Sequence, residues 1–227
     1  DIFHDDRIQR NCAILTDLDT SIADVAIQDG DSDAIKKYKT KCYNSEKKGK
    51  ERQEKIAEYI NDNRWIEAFY AHHTFEVDFA MLNQPEVVTG IVEQVYSDPD
   101  TIDLAKEQLA SDEVAIVGKR ILTMAKQEGK GWFAILLGSS IDHNTKIPNY
   151  ILNAIRFATP KMNREIIAGI FNHRIKTHLK DANGFNFNDL EINLRRYRNN
   201  EIELPEILDE FEALVLDDRG LDFLRLL

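Results

Sequence analysis

The pattern of apolar and polar positions predicts two buried strands followed mainly by helices. Residues 11–15 (NCAIL) form a short apolar run that ends at the polar cluster TDLDTS, and residues 64–71 (RWIEAFYA) have the apolar density of a second strand. Short apolar runs bounded by polar turns are typical of buried parallel strands. Such a strand leads into a polar loop at the edge where open α/β sheets bind their ligands.

Helical spacing dominates the remainder of the chain. Thr74 is placed to cap one helix, and the glycines at 129 and 131 interrupt another. Pro148 suits the first turn of a helix and therefore marks the start of the last predicted helix of this group. The predicted helices cover residues 75–82, 102–109 and 114–125, a segment starting near Lys130, and a segment from Pro148 to about Ala158.

A domain boundary is predicted at Thr159-Pro160, because a residue that precedes proline avoids helical geometry. We expect residues 1–159 to form an α/β domain that carries a basic insertion over residues 30–62. Residues 160–227 are expected to form an all-helical extension, with a turn at Asn183-Gly184. The chain starts at Asp1, close to the first strand, so we expect it to be part of a longer protein.

Composition excludes several classes of protein. The chain has 227 residues and a net charge of −11, which argues against binding polyanions through bulk charge. Cys12 and Cys42 are too few for a disulfide framework, so a reducing cytoplasm fits best. The longest apolar run, Trp132 to Leu137, is far shorter than the roughly 20 residues of a membrane span, so we expect no membrane partner.

Acidic pairs follow both predicted strands. In an extended chain, residues i and i+2 point the same way, so Asp17 and Asp19 can converge on one hard cation. The alternative is that aspartates favour the turns after strands. Glu76 and Asp78 form the second pair, which a helical first turn would also favour. Lys130, between two glycines, could bring an ammonium to a phosphate or be a solvated loop lysine.

Three motifs in this order resemble a known family. They are the strand followed by TDLD, the segment HTFEVDFA, and EGKGWFAILLGSSID with IPNYILNAI. Over residues 2–158 they resemble the Toprim (topoisomerase-primase) domain of the OLD (overcoming lysogenization defect) family nucleases, which include Gabija-type and retron-associated effectors. This resemblance implies a Rossmann-like α/β fold with a parallel sheet flanked by helices, incomplete here at its N-terminus because the family's first strand-helix unit is absent.

The resemblance also implies the roles of individual residues. Asp17, Asp19, Glu76 and Asp78 fall on the family's metal ligands, with Glu76 also catalytic, and Lys130 falls on its catalytic lysine beside the scissile phosphate. The expected cofactors are two Mg²⁺ or Mn²⁺ ions, and ATP would act only through an upstream ATPase module. The family's first glutamate has no counterpart in this sequence.

The expected activity is metal-dependent cleavage or nicking of DNA in anti-phage defence, with a homo-oligomer as the expected assembly. Residues 36–55 carry nine Lys or Arg against three acids and could hold DNA, although a charged solvated helix is an equal alternative. Residues 201–218 contain eight acids and no base, which supports a different interpretation: a non-catalytic scaffold whose helical tail binds a protein partner. The predicted DNA-binding residues are Lys36, Lys37, Lys47, Lys48 and Lys50.

Overall fold

The computed structural model describes residues 2–142, 144–159, 162–179, 187–212 and 223–224. The chain divides into two compact units, the first formed by residues 1–141 and 147–158 and the second by residues 142–146 and 159–227. The predicted boundary at Thr159-Pro160 lies beside this division, although Pro160 is outside the described residues.

The first unit is built on a parallel pair of strands, β1 (Cys12–Asp17) and β2 (Ile66–Ala71). Cys12 pairs with Ile66 and Asp17 with Ala71, so the carboxyl ends of both strands lie side by side. Parallel strands need a long crossover connection, and helix α1 (Asp33–Ile60) lies in it. Within the described ranges of the chain, the sheet consists of these two strands.

Helix α1 is 28 residues long, or about 42 Å at 1.5 Å per residue. Its N-cap is Ser32, whose hydroxyl accepts a hydrogen bond from the backbone N–H of Ile35 at 3.4 Å. Most of the helix is exposed, but Gly49 is buried. The predicted basic insertion over residues 30–62 is therefore a single helix with one inward-facing side.

Short helices follow β2 and pack on one another. Val77 and Phe79 of the first of them pack with Ile121, Met124 and Phe133 in one hydrophobic cluster, and each is at most 3% exposed. Burial of these apolar side chains is the main stabilising term of this unit. The helices are α2 (Phe75–Leu82), α3 (Pro85–Thr89), α4 (Val92–Val95), α5 (Pro99–Leu109), α6 (Val114–Glu128) and α7 (Lys130–Gly138).

Helix α8 (Asn149–Ala158) returns to the sheet and packs against both strands. Its Phe157 ring lies 6.0 Å from the Phe69 ring of β2, and the backbone carbonyl of Phe157 accepts a hydrogen bond from Asn11 Nδ2 at 2.7 Å. The first turn of α8, which includes Tyr150, is thereby brought to the carboxyl edge of the strands.

The second unit is helical in its described part. Helices α9 (Arg164–His178), α10 (Phe187–Arg198) and α11 (Leu204–Glu212) pack through buried side chains, including Phe171, Leu194 and Ile207. The predicted turn at Asn183-Gly184 lies outside the described residues, as does the acidic stretch beyond Glu212.

The structure confirms an α/β chain that is mostly helical, with a small parallel sheet. β1 extends two residues past the predicted strand, so Asp17 ends the strand instead of starting the loop. Thr74 occupies the N-cap of α2 as predicted, but its side chain makes no capping hydrogen bond. No described helix is both long enough and apolar enough to cross a bilayer.

Candidate active site

The loops that follow β1 and β2 are hydrogen-bonded to each other. The backbone N–H of Leu18 donates to the Ala71 carbonyl at 2.9 Å, and that of Asp19 donates to the His73 carbonyl at 3.1 Å. These bonds continue the sheet pairing beyond its last registered pair. Both acidic pairs predicted from the sequence are therefore held at one edge of the sheet.

The chain turns sharply at Asp19. This residue has φ of 54°, in the left-handed region that aspartate tolerates better than most residues. The expectation that Asp17 and Asp19 share one extended segment is therefore wrong, because the strand ends at Asp17. The Asp19 carboxylate forms an ion pair with Arg52, whose Nη2 lies 2.9 Å from Oδ2.

Helix α1 fixes this turn from outside. A Cβ atom added to Gly49 would lie 1.7 Å from the carbonyl oxygen of Leu18, so only glycine permits this approach of helix to loop. One turn further along, Arg52 Nη2 donates hydrogen bonds to the Asp17 carbonyl and to the Asp19 carboxylate. The sequence analysis missed this role, because Arg52 lies in a basic stretch with no local signal that sets it apart.

The Glu76 carboxylate, in the first turn of α2, is 8% exposed and lies 3.2 Å from Nζ of Lys130 at the start of α7. Burial would raise the pKa of Glu76, but a hydrogen bond from its own backbone N–H and the Lys130 ammonium outweigh burial, so this pKa lies below its ordinary value. Two predicted catalytic residues, separated widely in sequence, therefore contact each other.

Asp78 shapes the loop after β2. Its Oδ2 accepts a hydrogen bond from the backbone N–H of His72 at 2.7 Å, and its Oδ1 accepts one from that of His73 at 3.2 Å. Both carboxylate oxygens are therefore engaged by backbone donors. This arrangement makes Asp78 a positioning residue for the loop.

Asp17 differs from the other acids of this edge. Its carboxylate makes no hydrogen bond or ion pair with the residues that the structure describes. Burial raises its pKa above the ordinary value, and the charges of Asp19 and Glu76 raise it further. The charges of Lys130 and Arg52 offset this rise only in part. A half-buried carboxylate whose oxygens accept no hydrogen bond from the described residues is a favourable ligand for a hard cation.

Tyr150 joins the site from α8. Burial, together with the negative charges of Asp17, Asp78 and Glu76, raises the pKa of Tyr150 to about 12. The phenol therefore stays protonated at neutral pH and can donate a hydrogen bond toward the acids. Tyr150 lies in the IPNYILNAI motif, but nothing in its local sequence distinguishes it from a helix-start residue.

The carboxylate oxygens of the site suit a divalent cation, but two of the carboxylates are paired with basic side chains of the protein. Carboxylate oxygens are the ligands preferred by Mg²⁺ and Mn²⁺. Lys130 and Arg52 currently balance Glu76 and Asp19. Across the described residues, no group of three or more His, Cys, Asp or Glu side chains is placed so that it could hold a metal ion.

Of the five predicted DNA-binding lysines, Lys47 and Lys50 form ion pairs with Glu51 and Glu46 within α1. Lys37 and Lys48 are exposed and make no ion pair in the described part of the chain, and Lys36 is half-buried. Successive spacings of four, seven and seven residues place four lysines on one face of α1, over about 27 Å. This stripe, which we call the α1 lysine stripe, is Lys37, Lys41, Lys48 and Lys55.

No family model matches the chain, and no curated protein or solved structure matches it. Electrostatic interactions join Asp17, Glu76, Lys130 and Tyr150 in one cluster, and Arg52, Gly49 and Asp78 hold the loops that carry it.

Proposed function

We propose that the chain is the Toprim-type part of an OLD-like nuclease, which cleaves or nicks DNA with divalent metal ions. The observation that carries the proposal is the meeting of three acids and a lysine from distant segments. The charges of Asp17, Glu76 and Asp78 all act on the Tyr150 phenol, and Lys130 contacts Glu76 at 3.2 Å. Perturbed titratable groups gathered at a sheet edge favour a functional site.

Asp17 and Glu76 are the residues that would hold the metal ion, with Asp19 as a further ligand. When bound, Mg²⁺ or Mn²⁺ supplies positive charge for the attacking and leaving oxygens of a phosphodiester. Lys130 is 69% exposed at its side chain, so its ammonium can turn from Glu76 toward a phosphate. There it would stabilise negative charge that develops in the transition state.

The α1 lysine stripe supports DNA as the substrate. α1 touches the site through Gly49 and Arg52, so lysines on its flank lie along a path that leads to Asp17. Lysine contacts to phosphates give affinity without sequence recognition, and they let an acidic protein bind a polyanion locally. The proposed assembly is a homo-oligomer.

A plasmid cleavage assay tests the proposal. Supercoiled DNA incubated with the full chain and Mg²⁺ or Mn²⁺ should be nicked or linearised, and Asp17→Asn or Lys130→Ala should slow cleavage by about 100-fold or more. Lys106→Ala is the control, because this lysine pairs with Glu93 at another surface of the same unit. Cleavage that survives Asp17→Asn unchanged would refute the assignment.

A complete lack of cleavage and of Mg²⁺ binding would favour the second interpretation, a scaffold that binds a protein through its helical tail. The acidic residues 201–218 are the feature that favours it. Their described part includes α11, where Ile207 is buried among the helices of the second unit. Calorimetry of the full chain with Mg²⁺ decides between the nuclease and the scaffold, because only the nuclease is expected to bind the ion.

A further inference from the structure

A groove beside the acid site is lined by three lysines, two of which, Lys119 and Lys126, have no part in the cleavage proposal. It has a volume of about 460 Å³ and lies between α1, α6 and the loop after β1. Asp19, His73 and Thr74 line one end, so the groove begins at the loops that carry the acids. A cavity of this size is within the range that accommodates a small organic ligand.

The cations of the groove come from two helices. Lys119 and Lys126 lie two turns apart on one face of α6, and Lys41 faces them from α1. None of these lysines forms an ion pair with a described residue. The Asp19 carboxylate at one end of the groove is paired with Arg52, not with these lysines. Three ammonium groups around one groove therefore favour a ligand that carries several negative charges.

The remaining lining is apolar and aromatic. Ile22, Val77 and Leu122 form apolar walls, and the Tyr38 side chain is 41% exposed beside them. The wall formed by Ile22 is fixed, because a Cβ on buried Gly118 would lie only 3.0 Å from Ile22 Cδ1. An exposed aromatic ring next to lysines suits a planar base attached to phosphates.

We propose that this lysine groove binds a nucleotide, with phosphates on Lys41, Lys119 and Lys126 and the base on Tyr38. The nucleotide could belong to the DNA strand that passes the acid site, and in that form the proposal rests on the proposed function. It could also be a free nucleotide, and in that form the proposal is independent of cleavage. The shared chemistry is a base with at least one phosphate.

Binding is measured on the full chain in EDTA, so that metal at the acid site plays no part. The probes are ATP and a short fluorescein-labelled oligothymidylate. The double variant Lys119→Ala/Lys126→Ala should weaken nucleotide binding by about 10-fold or more, because charge-assisted contacts to phosphate are lost. Lys106→Ala, on α5, is the matched control and should bind as the wild type does.

Tyr38 provides a second test that does not alter charge. Tyr38→Ala should weaken binding by about 5-fold or more through loss of base stacking, whereas Tyr38→Phe should retain the wild-type affinity. Lys119 and Lys126 belong to α6 and are not part of the α1 lysine stripe, although Lys41 of that stripe lines the same groove. An effect of the α6 double variant therefore distinguishes the groove from general attraction of DNA by α1.

The outcomes separate the sources. If only oligothymidylate binds, and the double variant weakens its binding, the groove holds a nucleotide of DNA. If only ATP binds, and the double variant weakens its binding, the groove holds a free nucleotide. If neither probe binds, or if the double variant binds both as the wild type does, the proposal is overturned. A chain that cuts DNA in an Asp17-dependent way but binds no nucleotide in EDTA would overturn this proposal alone.

Discussion

The loops after β1 and β2 hold their acids in opposite ways. The loop after β2 is fixed from within, since Asp78 accepts two backbone N–H groups of that loop. The loop after β1 is fixed from outside, by Gly49 and Arg52 of α1. The first arrangement consumes a carboxylate, whereas the second leaves the Asp17 carboxylate without a hydrogen bond or ion pair to any described residue. A loop held by a neighbouring helix can therefore present a carboxylate that the loop itself does not use.

The largest effect should come from separating α1 from the first loop. Gly49→Ala places a methyl group 1.7 Å from the Leu18 carbonyl oxygen, so backbone must move, and we expect a loss of about 2–3 kcal/mol in unfolding free energy. Urea denaturation measures it. Gly169→Ala in α9 is the matched control, because nothing lies within 4 Å of its added Cβ, and it should be neutral or stabilising.

A smaller loss is expected at the second loop. Asp78→Asn keeps the shape but replaces one acceptor oxygen by an NH₂ group that faces a backbone N–H, so one donor loses its partner. We expect a loss of about 1–2 kcal/mol, measured by urea denaturation. A variant with wild-type stability would mean that the two hydrogen bonds do not fix this loop.

The smallest effects should be changes in Tm of opposite sign for the acids of the two loops, Asp17 and Glu76. The pKa of Asp17 in the folded state is raised above its ordinary value of 3.8. Ionisation of Asp17 therefore lowers the free energy of unfolding as pH rises from 3.8 through the folded-state pKa. Asp17→Asn should therefore raise Tm at neutral pH, and this gain should shrink as pH falls toward 3.8 and be absent below it. Equal Tm differences at acid and neutral pH would contradict the raised pKa.

Neutralising Glu76 should change Tm in the opposite direction. Its pKa is lowered from 4.5, so it contributes stability that is present above pH 4.5 and is lost as pH falls through the folded-state pKa. Glu76→Gln should lower Tm at neutral pH, and the difference should shrink in acid. Calorimetric Tm values across this pH range measure both variants, with Asp103→Asn on the exposed surface of α5 as the control.

Local patterns predicted the strands and most helices, because a short apolar run or a helical repeat is readable within one segment. The start of α7 at Lys130 and the position of α2 after Thr74 follow from such signals. The left-handed turn at Asp19 and the roles of Arg52 and Tyr150 could not be predicted this way. They depend on contacts between segments far apart in sequence, which no local pattern encodes.

The central claim is that Asp17 is a metal ligand at a site shared with Glu76. Calorimetric titration of the full chain with Mn²⁺ at neutral pH tests it most directly, with Asp103→Asn as the matched control. We expect the wild type and the control to bind Mn²⁺ alike, and Asp17→Asn to bind at least about 10-fold more weakly. Equal Mn²⁺ affinity in Asp17→Asn and wild type, or no binding to the wild type, would contradict the account.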